Sequence, residues 1–246
     1  MKILLLDIET APNLAYVWGL REENIPLQRL VDSGYVLCWA AKWLGEEELM
    51  FDSIHQSTTK RMLKRIHALL EEADAVIHYN GQRFDIPTLN KEFLLNRMTP
   101  PSNFKQIDLY LTARSRFRFV SNKLEYVANA LGLGNKHKHQ GFELWPKCMS
   151  GDEDAWKEME IYNKQDVILL EGVYEIYLPW IRNHPNLGLY TDSEVDACPN
   201  CGSTNLKRRG HAYTAAGKYQ RYRCTDCGHW ARDKKNVKRT NLTTDK

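Results

Sequence analysis

The apolar run at residues 3–6 leads straight into Asp7, and Glu9 follows two positions later. Residues two apart on a strand point to the same side, so the two carboxylates project together. Held that close they repel each other, and burial raises the pKa of at least one. A divalent cation relieves both difficulties, because hard carboxylate oxygens suit Mg²⁺ or Mn²⁺. On its own an Asp-x-Glu pair says little. Two further acids stand in comparable company. Asp85 closes the stretch Asn80-Gly81-Gln82-Arg83-Phe84-Asp85 where a loop becomes a helix, and an N-cap is its ordinary use there. Asp166 lies four residues after Tyr162 in a helical stretch, so the two share one face. An Asp facing the core beside Val167, Leu169 and Leu170 calls for a ligand or a counter-ion. A tyrosine there, taken singly, is ordinary core packing.

The C-terminal part carries a different chemistry. Cys198, Cys201, Cys224 and Cys227 form two C-x2-C pairs, followed by Gly202 and Gly228. Four thiolates in two such loops fill a tetrahedron around one Zn²⁺ and leave no position open, which describes a structural site. Cys38 and Cys148 stand alone among apolar and aromatic neighbours and read as small buried hydrophobes. Between the pairs, Lys207, Arg208, Arg209, Lys218, Arg221 and Arg223 are interleaved with Tyr213, Tyr219 and Tyr222, on a hairpin turning at Ala216-Gly217. Basic and aromatic side chains together suit single-stranded nucleic acid. Docking of a protein partner is the other use of such a ribbon. Residues 198–246 carry 12 Lys/Arg against 3 Asp/Glu, leaving 22 against 28 in residues 1–197. Charge divided so sharply marks two modules and places the basic one near a polyanion.

To bring the acids together the chain needs a strand at residues 2–9. Residues 34–44 and 47–54 read as an antiparallel hairpin. A helix follows with Met62, Ile66, Leu69 and Leu70 on one face and Thr58 or Thr59 as its cap. Residues 74–79 form a short buried strand, and a helix begins near Asp85 with Pro87 in its first turn. A strand through Asp108 runs into a helix. A short helix is capped by Ser121 or Asn122 and stopped by Gly132 or Gly134. A long helical segment then extends to Pro179. This order describes an α/β fold, a mixed sheet flanked by helices. The expected division is a catalytic domain at 1–182, a linker at 183–197, a zinc ribbon at 198–235 and a basic, disordered tail at 236–246. His137 and His139 read as solvated, with a phosphate contact as their alternative use. No apolar run approaches the ~20 residues that cross a bilayer, and the first run is too short for a signal peptide. A soluble cytoplasmic protein with no membrane partner is expected.

The acids fall into a pattern. D-x-E on the first strand (Asp7, Glu9), N-x3-F-D at a helix start (Asn80 to Asp85) and Y-x3-D on a late helix (Tyr162, Asp166) resemble the three motifs of the DEDDy-type 3′–5′ exonucleases. These belong to the RNase H-like superfamily and include the exonuclease domain of family B DNA polymerases. The related branch with histidine would place it at Ile161, so the tyrosine branch is indicated. The resemblance spans roughly residues 1–182. It implies phosphodiester hydrolysis at a site of two Mg²⁺ or Mn²⁺ ions held by Asp7, Glu9, Asp85 and Asp166, with Asp7 bridging and Tyr162 orienting the attacking water. It further implies that Thr10, Asn80 and Phe84 meet the substrate end, although Phe84 serves core packing equally well. Asp108 is read as structural. On the ribbon, Arg208, Arg221 and Tyr222 are expected to meet nucleic acid. The implied substrate is single-stranded DNA, with RNA cleavage or structure-specific endonuclease action on the same fold as alternatives. A non-catalytic nucleic-acid-binding or recruitment factor is the alternative from another class, and carboxylates clustered near phosphates argue against it.

Overall fold

The computed structural model describes residues 1–21, 24–134, 141–190 and 195–242, so His137 and His139 lie outside the described residues. The chain forms two compact units, Lys2–Val173 and Tyr174–Lys246. The first contains β1 (Ile3–Thr10), the short strands β2 (Leu14–Ala15) and β3 (Leu30–Asp32), β4 (Val36–Trp43) and β5 (Leu49–Ser53). These are followed by α1 (Thr59–Glu72), β6 (Ala75–His78), α2 (Asp85–Leu95), β7 (Lys105–Asp108) and α3 (Leu109–Arg116). The helices α4 (Leu124–Ala130), α5 (Leu144–Met149) and α6 (Glu153–Tyr177) come last.

Five strands make one mixed sheet in the order β5-β4-β1-β6-β7. β1 pairs antiparallel with β4 and parallel with β6, and β6 pairs parallel with β7. The alternation along β1 sends Leu4, Leu6 and Ile8 into a core with Met62, Leu63, Ile66 and Leu70 of α1 and Ile86, Leu89 and Phe93 of α2. Burying each such side chain stabilises the fold by ~1.5–3 kcal/mol, so this cluster sets the orientation of β1. Truncating one member, such as Leu63→Ala, costs about 2–5 kcal/mol. Thr58 caps α1, its hydroxyl accepting from the Arg61 N–H at 3.3 Å.

Pairing of β1 with β6 stops at Leu5, whereas pairing with β4 continues to Thr10 through a register shift between Glu9 and Thr10. The carboxyl end of β1 therefore emerges from the sheet with one edge open. Ligands gather at such strand ends in α/β sheets, and irregular pairing there re-aims side chains.

Two local expectations differ from the structure, and one strand pairing was not anticipated. Ser121 does not cap α4: its hydroxyl accepts from the Lys123 N–H at 3.3 Å, making a side-chain turn one residue earlier, and Lys123 becomes the N-cap. Asp85 is not an N-cap but the first residue of α2, with Phe84 before it. The pairing of β2 with β3 joins two segments too short to show alternation.

The second unit carries β8 (Leu206–Tyr213), β9 (Gly217–Cys224) and β10 (Trp230–Arg239) in one antiparallel sheet of order β10-β9-β8. β10 continues past Asn236, where a disordered tail was expected, because Asn236, Lys238 and Arg239 find backbone partners at Tyr219, Lys218 and Gly217. The buried Asn200 amide donates to the carbonyls of Leu178 (2.7 Å) and Ile181 (3.0 Å), tying the first cysteine loop to the turn after α6. Among the described residues no helix is long and apolar enough to cross a membrane.

Candidate active site and cysteine centre

Asp7, Glu9 and Asp166 converge: one carboxylate oxygen from each lies within 4.8 Å of the others. β1 supplies the first two by its two-residue period, and α6 supplies the third. Tyr162 sits one turn before Asp166 and is largely buried. Its pKa is pushed well above the ordinary tyrosine value, first by burial and then by the negative charges of Asp166, Glu9 and Asp7. The hydroxyl therefore keeps its proton and acts as a donor.

Asp85 is not among the carboxylates that come within 4.8 Å of one another. It is buried, and its Oδ1 accepts from the Ile8 N–H at 3.2 Å, just beyond the point where β6 leaves β1. Burial pushes its pKa up to about 7, against the lowering effect of backbone donors from Asp85 itself and Ile8.

Two residues that the sequence reading passed over hold the acids. The Asn163 amide donates to Asp7 Oδ2 at 2.6 Å, and the Trp145 indole N–H donates to Glu9 Oε2 at 3.1 Å. Trp145 also meets Tyr162 edge-on, ring centroids 6.0 Å apart. Asn163 was within reach of sequence reasoning, since it lies three residues before Asp166 and shares its helix face. Trp145 carried no such signal. Cys38 is buried as expected, with its Sγ 3.8 Å from Asn163 Oδ1. Burial, then the charges of Glu9 and Asp7, raise its pKa far above the usual thiol value, so it remains a thiol.

The loop of the second motif is held by backbone donors. Asn80 adopts a left-handed conformation (φ 68°), which asparagine tolerates better than most residues. Asp108 accepts from the N–H groups of Asn80 (3.1 Å), Gln82 (3.3 Å) and Leu111 (3.2 Å), so it caps α3 and anchors this loop. The Gly81 N–H donates to His78 Nδ1 at 3.1 Å, leaving the His78 Nε2 proton for Gln106 at 3.0 Å. A Cβ at Gly81 would stand 2.5 Å from the His78 ring, so the approach requires glycine. Beside the loop opens a cleft of about 480 Å³, lined among others by Tyr79, Asn80, Tyr110, Lys123 and Tyr162. Of the residues expected at the substrate end, Asn80 lines this cleft, Thr10 is half-buried at the end of β1, and Phe84 is 45% exposed rather than packed in the core.

A family model of the RNase H superfamily matches residues 35–178, more than half of the chain. The chain belongs to the RNase H superfamily. Among solved structures it is similar to the family B DNA polymerase of the hyperthermophilic archaeon Pyrobaculum calidifontis, with a TM-score of 0.53 and 19% identity. That likeness covers 72% of this chain and 24% of the polymerase, so the chain spans about a quarter of the polymerase's length. At this identity the likeness concerns the fold. No curated protein matches the sequence. Nucleases of the RNase H superfamily use divalent metals, and three clustered carboxylates form a hard donor set suited to Mg²⁺ or Mn²⁺.

In this member of the RNase H superfamily the four C-terminal cysteines also converge, their sulfurs all within 4.8 Å of one another. None of the four forms a disulfide, and Cys198 and Cys201 each lie 3.6 Å from a sulfur of the second pair. The two loops are built alike. Gly202 and Gly228, at φ 73° and 81°, donate their N–H groups to the carbonyls of Cys198 (2.8 Å) and Cys224 (3.2 Å). Four soft donors at such spacing suit a structural Zn²⁺. Arg208, Arg221 and Tyr222 do not share one surface: Arg208 pairs across the sheet with Tyr222, while Arg221 alternates to the opposite face.

Proposed function

We propose that this nuclease of the RNase H superfamily is a 3′–5′ exonuclease acting on single-stranded DNA, with a zinc ribbon that helps to hold the strand. The observation that carries the reading is the meeting of the Tyr162–Asp166 helix face with Asp7 and Glu9, the residues of the first and third motifs. Asp7, Glu9 and Asp166 hold two Mg²⁺ or Mn²⁺ ions, and Asp85 supports them from the open edge of β1. When bound, the ions supply positive charge at the scissile phosphate and an acidified water. Asn163 and Trp145 fix the orientation of the Asp7 and Glu9 carboxylates, so little motion is needed when substrate arrives.

Tyr162, held protonated by burial, positions the attacking water through its hydroxyl and is not a general base. The terminal nucleotide lies against the backbone at Thr10, and Asn80 and the exposed Phe84 ring meet the next one. An aromatic face so exposed suits an unstacked base, which favours a single strand. One structural Zn²⁺ on Cys198, Cys201, Cys224 and Cys227 maintains the ribbon.

The reading is tested by incubating 5′-labelled single-stranded DNA, duplex DNA and RNA with the protein and Mg²⁺ or Mn²⁺. Stepwise shortening from the 3′ end, fastest on single-stranded DNA, is expected. Immediate release of the 5′ label or internal cuts would overturn the exonuclease polarity, and a faster reaction on RNA would overturn the substrate.

A further inference from the structure

We propose that one face of the ribbon sheet, centred on Arg221, Arg223 and Trp230, grips the phosphates and bases of a single nucleic-acid strand. The inference rests on the nuclease reading above and names the surface that engages the strand.

Cross-strand register carries it. Arg223 of β9 lies opposite Lys207 of β8 and Trp230 of β10, and Arg221 lies opposite Arg232. Residues directly opposite share a face, so these five side chains stand together, and all are exposed. The alternating neighbours Tyr222, Cys224 and Ala231 turn to the other side and are half-buried or buried.

On the exposed face, Lys207, Arg209, Arg223 and Thr225 line a cleft of about 230 Å³. The Arg221 guanidinium lies 4.6 Å from the Trp230 ring centroid and that of Arg223 5.9 Å, while Arg232 lies 4.2 Å from Tyr219. Among the described residues, no carboxylate makes an ion pair with Lys207, Arg209, Arg221, Arg223 or Arg232. The acids of the ribbon are engaged elsewhere. Asp226 accepts from Ser203 (2.6 Å) and Asn205 (3.0 Å), and Asp233 accepts from the Tyr222 hydroxyl (3.3 Å).

Cations crowded without counter-charge repel one another, and a polyanion relieves them. The rings among them select the kind of polyanion. Trp230 remains 47% exposed, and an exposed ring between guanidinium groups receives an unstacked base while the cations take the flanking phosphates. A duplex has no open base face to offer, and an acidic peptide has no use for the ring.

The test uses the full chain with its zinc, carrying Asp7→Asn to prevent degradation, and a fluorescent single-stranded 20-mer titrated at several salt concentrations. Arg221→Gln/Arg223→Gln is compared with Lys218→Gln/Lys238→Gln, which removes equal charge at a cross-strand pair of the opposite face. Zinc content and melting temperature matched to the parent show that each variant is folded. The first pair is expected to weaken binding about tenfold and to lower the log–log salt slope by roughly 1.4, about 0.7 for each phosphate that the variant no longer neutralises. The second pair is expected to change neither appreciably. Equal losses in both pairs, or no loss in the first, would overturn the inference. Tighter binding of poly-glutamate than of the 20-mer would overturn it in favour of protein docking. Binding lost at this face while the wild-type chain cleaves nothing fails the nuclease reading alone. Cleavage by the wild type with binding unchanged in the Arg221/Arg223 variant fails this inference alone.

Discussion

The side-chain amide of Asn163 donates to Asp7 Oδ2 at 2.6 Å, from a helix position three residues before Asp166. One turn of α6 thus delivers a carboxylate to the site and also steadies the carboxylate that arrives from β1. Asn163 is fully buried, and its other amide atom faces the Cys38 thiol, so its orientation is fixed by its surroundings.

Asn163→Ala should therefore fold and yet cleave poorly. Groups that orient metal ligands are typically worth about 10–100-fold in activity or metal affinity. We expect the Mg²⁺ concentration for half-maximal rate to rise, with a smaller rise for Trp145→Phe, which removes the donor to Glu9. Rate measured against Mg²⁺ concentration checks both, and curves that overlay the wild type would exclude an orienting role.

Asp85 makes stability depend on pH in a defined direction. Burial raises its folded-state pKa from 3.8 to about 7, so the folded protein holds this proton more tightly than the unfolded chain does. Its contribution to stability is complete below pH ~4, falls as the pH climbs towards 7 and stays lost above. Asp85→Asn removes the titration while keeping an acceptor for the Ile8 N–H. In buffer without Mg²⁺ or Mn²⁺ the variant should melt several degrees above the wild type at pH 8, and the gap should narrow towards pH 5. A gap independent of pH would show that the Asp85 carboxyl is not the cause.

Gly81→Ala places a methyl group 2.5 Å from the His78 ring. That ring is fully buried and bonded to Gln106, so it cannot swing aside. Overpacking of this kind costs about 1–3 kcal/mol, and the melting temperature should drop accordingly. An unchanged melting temperature would mean that the loop has another conformation available.

Zinc removal should act on one sheet. With Cys201→Ser, metal content should fall, and hydrogen-exchange protection of β8, β9 and β10 should collapse, since so small a sheet buries little without its metal. Protection retained in the metal-free variant would contradict a structural role for the cysteines.

What the sequence disclosed of this protein follows the range of the interactions involved. Asp7 and Glu9 share a side because of a strand's two-residue period, and Tyr162 and Asp166 share a face because of the helical repeat. Both rules are local, and the structure brings Asp7, Glu9 and Asp166 together without Asp85. The sheet and its main helices were legible for the same reason. Trp145 escaped notice because its partner Glu9 is 136 residues away. Asp85 read as a helix cap, yet its carboxylate turns to the Ile8 N–H, 77 residues away, where a strand edge has been left open. The composition of the ribbon pointed to nucleic acid, but the register of three strands decides which cations stand together. Part of that register shifts between Arg208 and His211.

The most direct test of the account is a time course of a 5′-labelled single-stranded DNA with Mg²⁺, run with the wild type and with Asp166→Asn. A ladder descending one nucleotide at a time is expected for the wild type, and a full-length band that persists is expected for the variant at an unchanged melting temperature. A variant that degrades the strand as fast as the wild type would contradict the assignment of the site to Asp7, Glu9 and Asp166.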